Sequence, residues 1–180
     1  MKATGIVRKI DDLGRIVIPK EIRRTMRIRE GDPLEIFTEK DGTVLFKKYS
    51  QIGEISSFSD HYAEAISNTT GFATAITDKD TVISVSGIPK KEIVGKSISD
   101  ELSEILDDRM TYGYMDDEEA VPLIDSSENY KISIACPVVC QGEAIGSVVI
   151  FFNNDVQKLG ETEEKIAQTS ATVLSKMVDE

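Results

Sequence analysis

Pro19 constrains the fold of this chain more than any other residue. It follows Arg15-Ile16-Val17-Ile18, a segment with the β-branched content of a strand, and it lacks the N–H that a continuing ladder would need. A first helical turn tolerates it, because the N–H there would have no partner anyway, so Pro19 to Met26 is predicted as a short helix. Upstream, Gly5 to Ile10 reads as a strand joined to the Arg15 segment through a turn at Asp11-Asp12-Leu13-Gly14. Downstream, Gly31-Asp32-Pro33 stops the helix. Leu34 to Thr38 and Thr43 to Lys47 then alternate on either side of Lys40-Asp41-Gly42, where glycine accepts the positive φ of a hairpin turn. The pattern is ββαββ within residues 1–50. A unit of about 50 residues buries little apolar surface as a monomer. Its strands are nonetheless rich in Ile, Val and Leu, so a barrel-like dimer of interleaved hairpins is expected.

After a junction at residues 49–54, residues 51–180 are expected to form a second domain. Ile55, Phe58, Tyr62, Ala65 and Ile66 recur at helical spacing. Phe72 to Ile76 and Thr81 to Val85 suit a hairpin across Asp78-Lys79-Asp80. Ile93 to Arg109 is predicted to be mainly helical, with Ile98, Leu102, Ile105 and Leu106 as its apolar stripe, whereas Tyr112 to Glu128 is acidic and weakly patterned. Ile132, Ile134, Cys136 and Val138 alternate in a strand, Gln141-Gly142-Glu143 turns the chain, and Ala144 to Phe152 reads as a mostly buried strand. In a closing helix, Glu161, Glu163 and Glu164 suit the positive N-terminus. Leu159, Ile166, Ser170, Val173, Leu174 and Met177 mark its seam.

The formal net charge of -11 would argue against nucleic acid if it were spread evenly, but it is not. Residues 1–50 carry 12 Lys/Arg against 8 Asp/Glu, a balance of +4, and residues 51–180 carry -15. The first 29 residues hold 9 basic and 3 acidic side chains, so positive charge is concentrated where a phosphate backbone could be met. On a helix advancing about 100° per residue, Lys20, Arg23, Arg24 and Arg27 fall on one stripe while Ile22 and Met26 face another way. Arg8 and Lys9 on the first strand and Arg15 beside the turn extend this ridge, and a two-fold dimer would present each group twice. A planar arginine fork takes two phosphate oxygens or the O6/N7 edge of guanine, whereas lysine acts as a point charge.

The run ATGIVRKIDDLGRIVIPKEIRRTMRIREGDPLEIF, within residues 3–48, closely resembles the N-terminal domain of the AbrB-like (SpoVT-AbrB) transition-state regulators. The resemblance implies a swapped-hairpin dimer that contacts double-stranded DNA through Arg8, Arg15, Arg23 and Arg24; Lys9, Lys20 and Arg27 join the set from the stripe geometry alone. It also implies DNA recognition in which shape and deformability count as much as base edges. The order of elements in residues 51–180 resembles a GAF domain, an antiparallel sheet with helices packed across it. That resemblance implies small-molecule sensing, tetramer formation through helices, or both, and it names no ligand. Linked dimers would gain avidity without any new contact. The expected function is therefore transcription regulation, with sporulation genes implied by resemblance alone. The alternative is a non-catalytic scaffold or antitoxin-like module that binds a protein partner.

Catalytic readings of individual residues are weak. His61 is the single histidine and has no second imidazole or cysteine nearby in sequence. Asp116-Asp117-Glu118-Glu119 lacks the alternating ligands and the glycine of a calcium loop, and Asp78 and Asp80 flank a turn where aspartate is common for backbone reasons. Cys136 and Cys140 share a strand face, but their Cα atoms would lie about 13 Å apart, too far for a disulfide. No nucleophile elbow or phosphate-binding loop is present, so no enzymatic activity, metal or cofactor is expected. With no secretory or membrane-spanning apolar run, the expected location is the cytoplasm, at the nucleoid.

Overall fold

The computed structural model describes residues 4–116 and 118–179. The chain divides into two compact units, Met1–Tyr49 and Ser50–Glu180.

In the first unit the buried Pro19 caps helix α1, Lys20–Thr25. The hairpin partners are β1, Leu34–Thr38, and β2, Val44–Lys48, in register from Leu34 opposite Lys48 to Thr38 opposite Val44. Gly42 takes φ +87° in their turn, as predicted. Two expectations change. The helix ends one residue early, with Met26 at its C-cap and Arg27 in the left-handed region at φ 50°, so Arg27 leaves the helical stripe of Lys20, Arg23 and Arg24. Residues 5–10 and 16–18 form no ladder among the described residues; their turn closes through Asp11 N–H to the Arg15 carbonyl (3.1 Å) and Gly14 N–H to the Asp11 carbonyl (3.0 Å). The cause is visible in what the single chain leaves uncovered. Val7 is 89% exposed and Val17 70%, and Ile10, Leu13 and Ile36 are also open, so this unit has apolar strand faces but no second layer of its own.

The second unit is a six-stranded antiparallel sheet, β4-β3-β8-β7-β5 with β6 also on β7. Its strands are β3 Ala73–Asp78, β4 Val82–Ser86, β5 Tyr112–Gly113, β6 Pro122–Ile124, β7 Ser127–Cys140 and β8 Glu143–Asn153. The β7–β8 turn has Gln141 at φ 50° and Gly142 at φ 83°, the twist that a two-residue hairpin requires. Helices α2 Gln51–Glu54, α3 Ser56–Thr70 and α5 Glu161–Val178 cover one face over a core that includes Ile52, Ile76, Val148 and Leu174. Helix α4, Asp100–Asp108, covers the other over Ile93, Ile98, Leu102, Leu123 and Phe151.

Four sequence expectations are corrected here. The junction at residues 49–54 holds α2, whose Ile52 is fully buried and whose N-cap Ser50 accepts the Gly53 N–H at 3.0 Å. Residues 93–99 are not helical: Gly95 takes φ +78° and donates to the Val82 carbonyl, and Ser99 caps α4 by accepting the Leu102 N–H at 3.0 Å. The acidic stretch contributes β5 and β6, because β7 is long enough to recruit both along one edge. The buried faces of α3 and α5 keep the predicted Ile66, Ser170 and Leu174 but are rotated toward small residues outside the predicted seams, Ser59 and Ala63 on one and Ala167 and Ala171 on the other. Small side chains let a helix approach a sheet closely, while Phe58 stays 49% exposed. The same closeness recurs between β3 and β8, where a Cβ at Gly146 would sit 2.0 Å from the Thr77 carbonyl oxygen.

Candidate nucleic-acid interface

Arg8, Lys9, Arg15, Lys20, Arg23 and Arg24 are all exposed. Lys20, Arg23 and Arg24 stand on α1, whose turn is held by Arg23 N–H to the Pro19 carbonyl (2.9 Å) and Met26 N–H to the Ile22 carbonyl (2.9 Å). Arg27, beyond the helix end, is half-buried, and its carbonyl accepts from Lys48 Nζ at 2.8 Å. Lys48 also reaches Asp32 Oδ2 at 3.2 Å, and that carboxylate accepts the Arg29 N–H at 2.8 Å. The segment leaving α1 is thereby tied to the end of β2.

Arg15 has a more specific setting, which the sequence reading missed. Asp11 Oδ1 accepts the backbone N–H groups of Leu13 (3.0 Å) and Arg15 (2.8 Å), and Asp11 Oδ2 accepts Arg15 Nε–H at 2.8 Å. These donors, above all those of Arg15, hold the Asp11 carboxyl below its ordinary range. The signal was present in the spacing, since an aspartate opening a turn bonds backbone groups a few residues on; the ion pair adds to this the side chain at i+4.

The second unit offers different chemistry. A cleft of about 390 Å³ lies between the β7 residues Cys136, Pro137 and Val139 and the α5 residues Gln168, Thr172 and Ser175. Cys136 and Cys140 are free and buried. His61 is exposed on α3; Asp116, Glu118 and Glu119 are exposed in the segment between β5 and β6, and Asp117 lies outside the described residues. Among the described residues no three His, Cys, Asp or Glu side chains converge as a metal site, and no helix is long and apolar enough to cross a membrane.

Residues 54–179 match the family model described as stage V sporulation protein T C-terminal, transcription factor. The stage V sporulation protein T of Bacillus subtilis (strain 168) is 47% identical over 181 residues, spanning 100% of both chains. This chain belongs to the stage V sporulation protein T family. Within that family frame, residues 7–53 also match the model described as antidote-toxin recognition MazE, bacterial antitoxin. The transition state regulatory protein AbrB of the same bacterium is 59% identical over 49 residues, 27% of this chain and 50% of AbrB. The N-terminal domain is AbrB-like on that ground. The second unit has the fold of a GAF domain: the crystal structure of the GAF domain from Acinetobacter phosphoenolpyruvate-protein phosphotransferase aligns with a TM-score of 0.53. It is 12% identical and covers 73% of this chain and 84% of that one.

Proposed function

We propose that this stage V sporulation protein T family member regulates transcription by binding double-stranded DNA through Arg8, Arg15, Arg23 and Arg24, with Lys9, Lys20 and Arg27 adding phosphate contacts. The observation that carries the reading is the exposure of Arg8, Arg15, Arg23 and Arg24 in a +4 segment of a chain whose remainder is -15. The 59% identity of this segment to AbrB supports it. The apolar strand faces left open in one chain support a dimer through residues 1–50, doubling the cationic groups about a two-fold axis. The GAF-like unit of residues 51–180 would join dimers into a tetramer through its helices, sense a small molecule, or do both. The protein acts in the cytoplasm, on the nucleoid, on sporulation genes, and not as an enzyme.

Titration of a fluorescent promoter-length duplex at two salt concentrations tests this, with the Arg23→Ala, Arg24→Ala double variant alongside. Binding should weaken steeply with salt, log K falling by about 0.9 per neutralised phosphate for each unit of log salt. The double variant should lose it while remaining oligomeric. The match of residues 7–53 to an antitoxin model favours a second reading, a module that binds a protein partner. Absence of duplex binding by the intact protein at low salt would sink the first reading in favour of the second.

A further inference from the structure

We infer that Asp11 is a positioning residue for DNA recognition, holding the Arg15 guanidinium by Nε so that its Nη1/Nη2 edge is presented to a pair of nucleic-acid acceptors. The inference rests on the DNA-binding reading and deepens it. An exposed arginine ordinarily samples many rotamers, and fixing it on binding costs entropy. Here the side chain is tied before any ligand arrives. Asp11 Oδ2 takes Nε at 2.8 Å, and Oδ1 fastens the same carboxylate to the backbone N–H groups of Leu13 and Arg15. The carboxylate is thus fixed to the turn that it orients. No other hydrogen bond to the Arg15 side chain occurs among the described residues, and the side chain is 68% exposed, so both terminal nitrogens face outward as a fork. Two acceptors side by side match that fork, either two phosphate oxygens or the O6 and N7 of one guanine.

A negative charge beside a DNA contact makes this testable by sign. If charge alone mattered, Asp11 would repel phosphates, and Asp11→Asn would tighten binding. If Asp11 positions Arg15, the same change weakens binding despite the added positive balance. Asparagine keeps an oxygen for the Leu13 and Arg15 N–H groups, so the turn survives, but the anionic partner of Nε is lost. Asp11→Glu keeps the charge and displaces the oxygens, and should weaken binding as well.

The experiment is anisotropy titration of the full chain against the promoter duplex and against the same duplex carrying 7-deaza-dG for dG, which lacks N7. Wild type, Asp11→Asn, Asp11→Glu, Arg15→Ala and the Asp11→Asn, Arg15→Ala double variant are compared. Asp11→Asn and Asp11→Glu are expected to weaken binding by about five- to tenfold, the scale of a good bidentate contact. Asp11→Asn should cause no further loss of binding once Arg15 is alanine, whereas a merely structural role in the turn would still weaken it. Loss of the Asp11→Asn effect on the 7-deaza-dG duplex assigns the fork to guanine, and its persistence assigns it to phosphate. Equal or tighter binding by Asp11→Asn, or an equal loss in the Arg15→Ala background, overturns the inference. Failure of wild type to bind either duplex would instead be failure of the DNA-binding reading itself.

Discussion

Thr77 Oγ1 and Ser147 Oγ lie 2.7 Å apart, directly opposite one another on β3 and β8, with both residues fully buried. The pair joins the two strands where Gly146 lets their backbones approach, and each hydroxyl satisfies the other away from water. Ser147→Ala leaves the Thr77 hydroxyl unpaired and is expected to cost about 1–3 kcal/mol. Thr77→Val combined with Ser147→Ala should cost less than the two single changes together, because no orphaned hydroxyl remains. Urea denaturation followed through the second unit reads both values. Simple additivity would show that the hydroxyls do not depend on each other.

Ser99 performs two tasks with one buried oxygen. It accepts the Leu102 N–H at 3.0 Å as the N-cap of α4 and donates to the Pro122 carbonyl at 2.7 Å. Ser99→Ala removes both bonds, and a loss of about 2 kcal/mol is expected, at the upper end for a cap. Ser99→Asp keeps the cap but brings a buried charge toward a carbonyl, so it should be worse than alanine. Thermal unfolding of the three proteins gives the order.

Burial pushes the Cys136 thiol up to about 11 from an ordinary 9.0, with the Glu164 charge acting in the same direction and the Thr111 hydroxyl against it. The folded protein therefore holds this proton more tightly than the unfolded chain does. Its contribution to stability is complete below pH 9.0 and is lost as pH rises toward about 11. Comparing the urea midpoint of wild type and Cys136→Ala across that range should show a steeper decline for wild type. In the native state the thiol should also resist iodoacetamide at neutral pH, and rapid alkylation there would contradict the burial.

Val17 is 70% exposed in the single chain, within a segment whose apolar side chains have no cover of their own. If a second copy covers it, Val17→Asp places a charge in a closed barrel and should lower the mass of the assembly or prevent folding of the first unit. Light scattering behind size exclusion gives the mass directly. The exposed Val94 on the second unit provides the contrast, since Val94→Asp should leave the mass unchanged. An unaltered mass for Val17→Asp would mean that the first unit is not held together in this way.

The sequence by itself determined the features whose causes are local. Pro19 could start a helix but not continue a strand, Gly42 and Gln141-Gly142 supplied the positive φ of two hairpin turns, and a run of arginines in an otherwise acidic chain marked the candidate interface. Tertiary structure decided what depends on a partner distant in the chain. Ile98 fits a helical stripe with Leu102, Ile105 and Leu106 by periodicity, yet Gly95 bonding to Val82 and Ile98 bridging Ile124 draw residues 93–99 out of a helix. Strands β5 and β6 exist because β7 offers them an edge, which no pattern in residues 112–124 announces. At the candidate interface, positive charge was legible one residue at a time and the spacing of Asp11 marked its turn, but the ion pair that anchors Arg15 was not legible. Composition counts those two charges as a cancelling pair, and only the turn between them places the carboxylate on Nε and leaves the outer fork open.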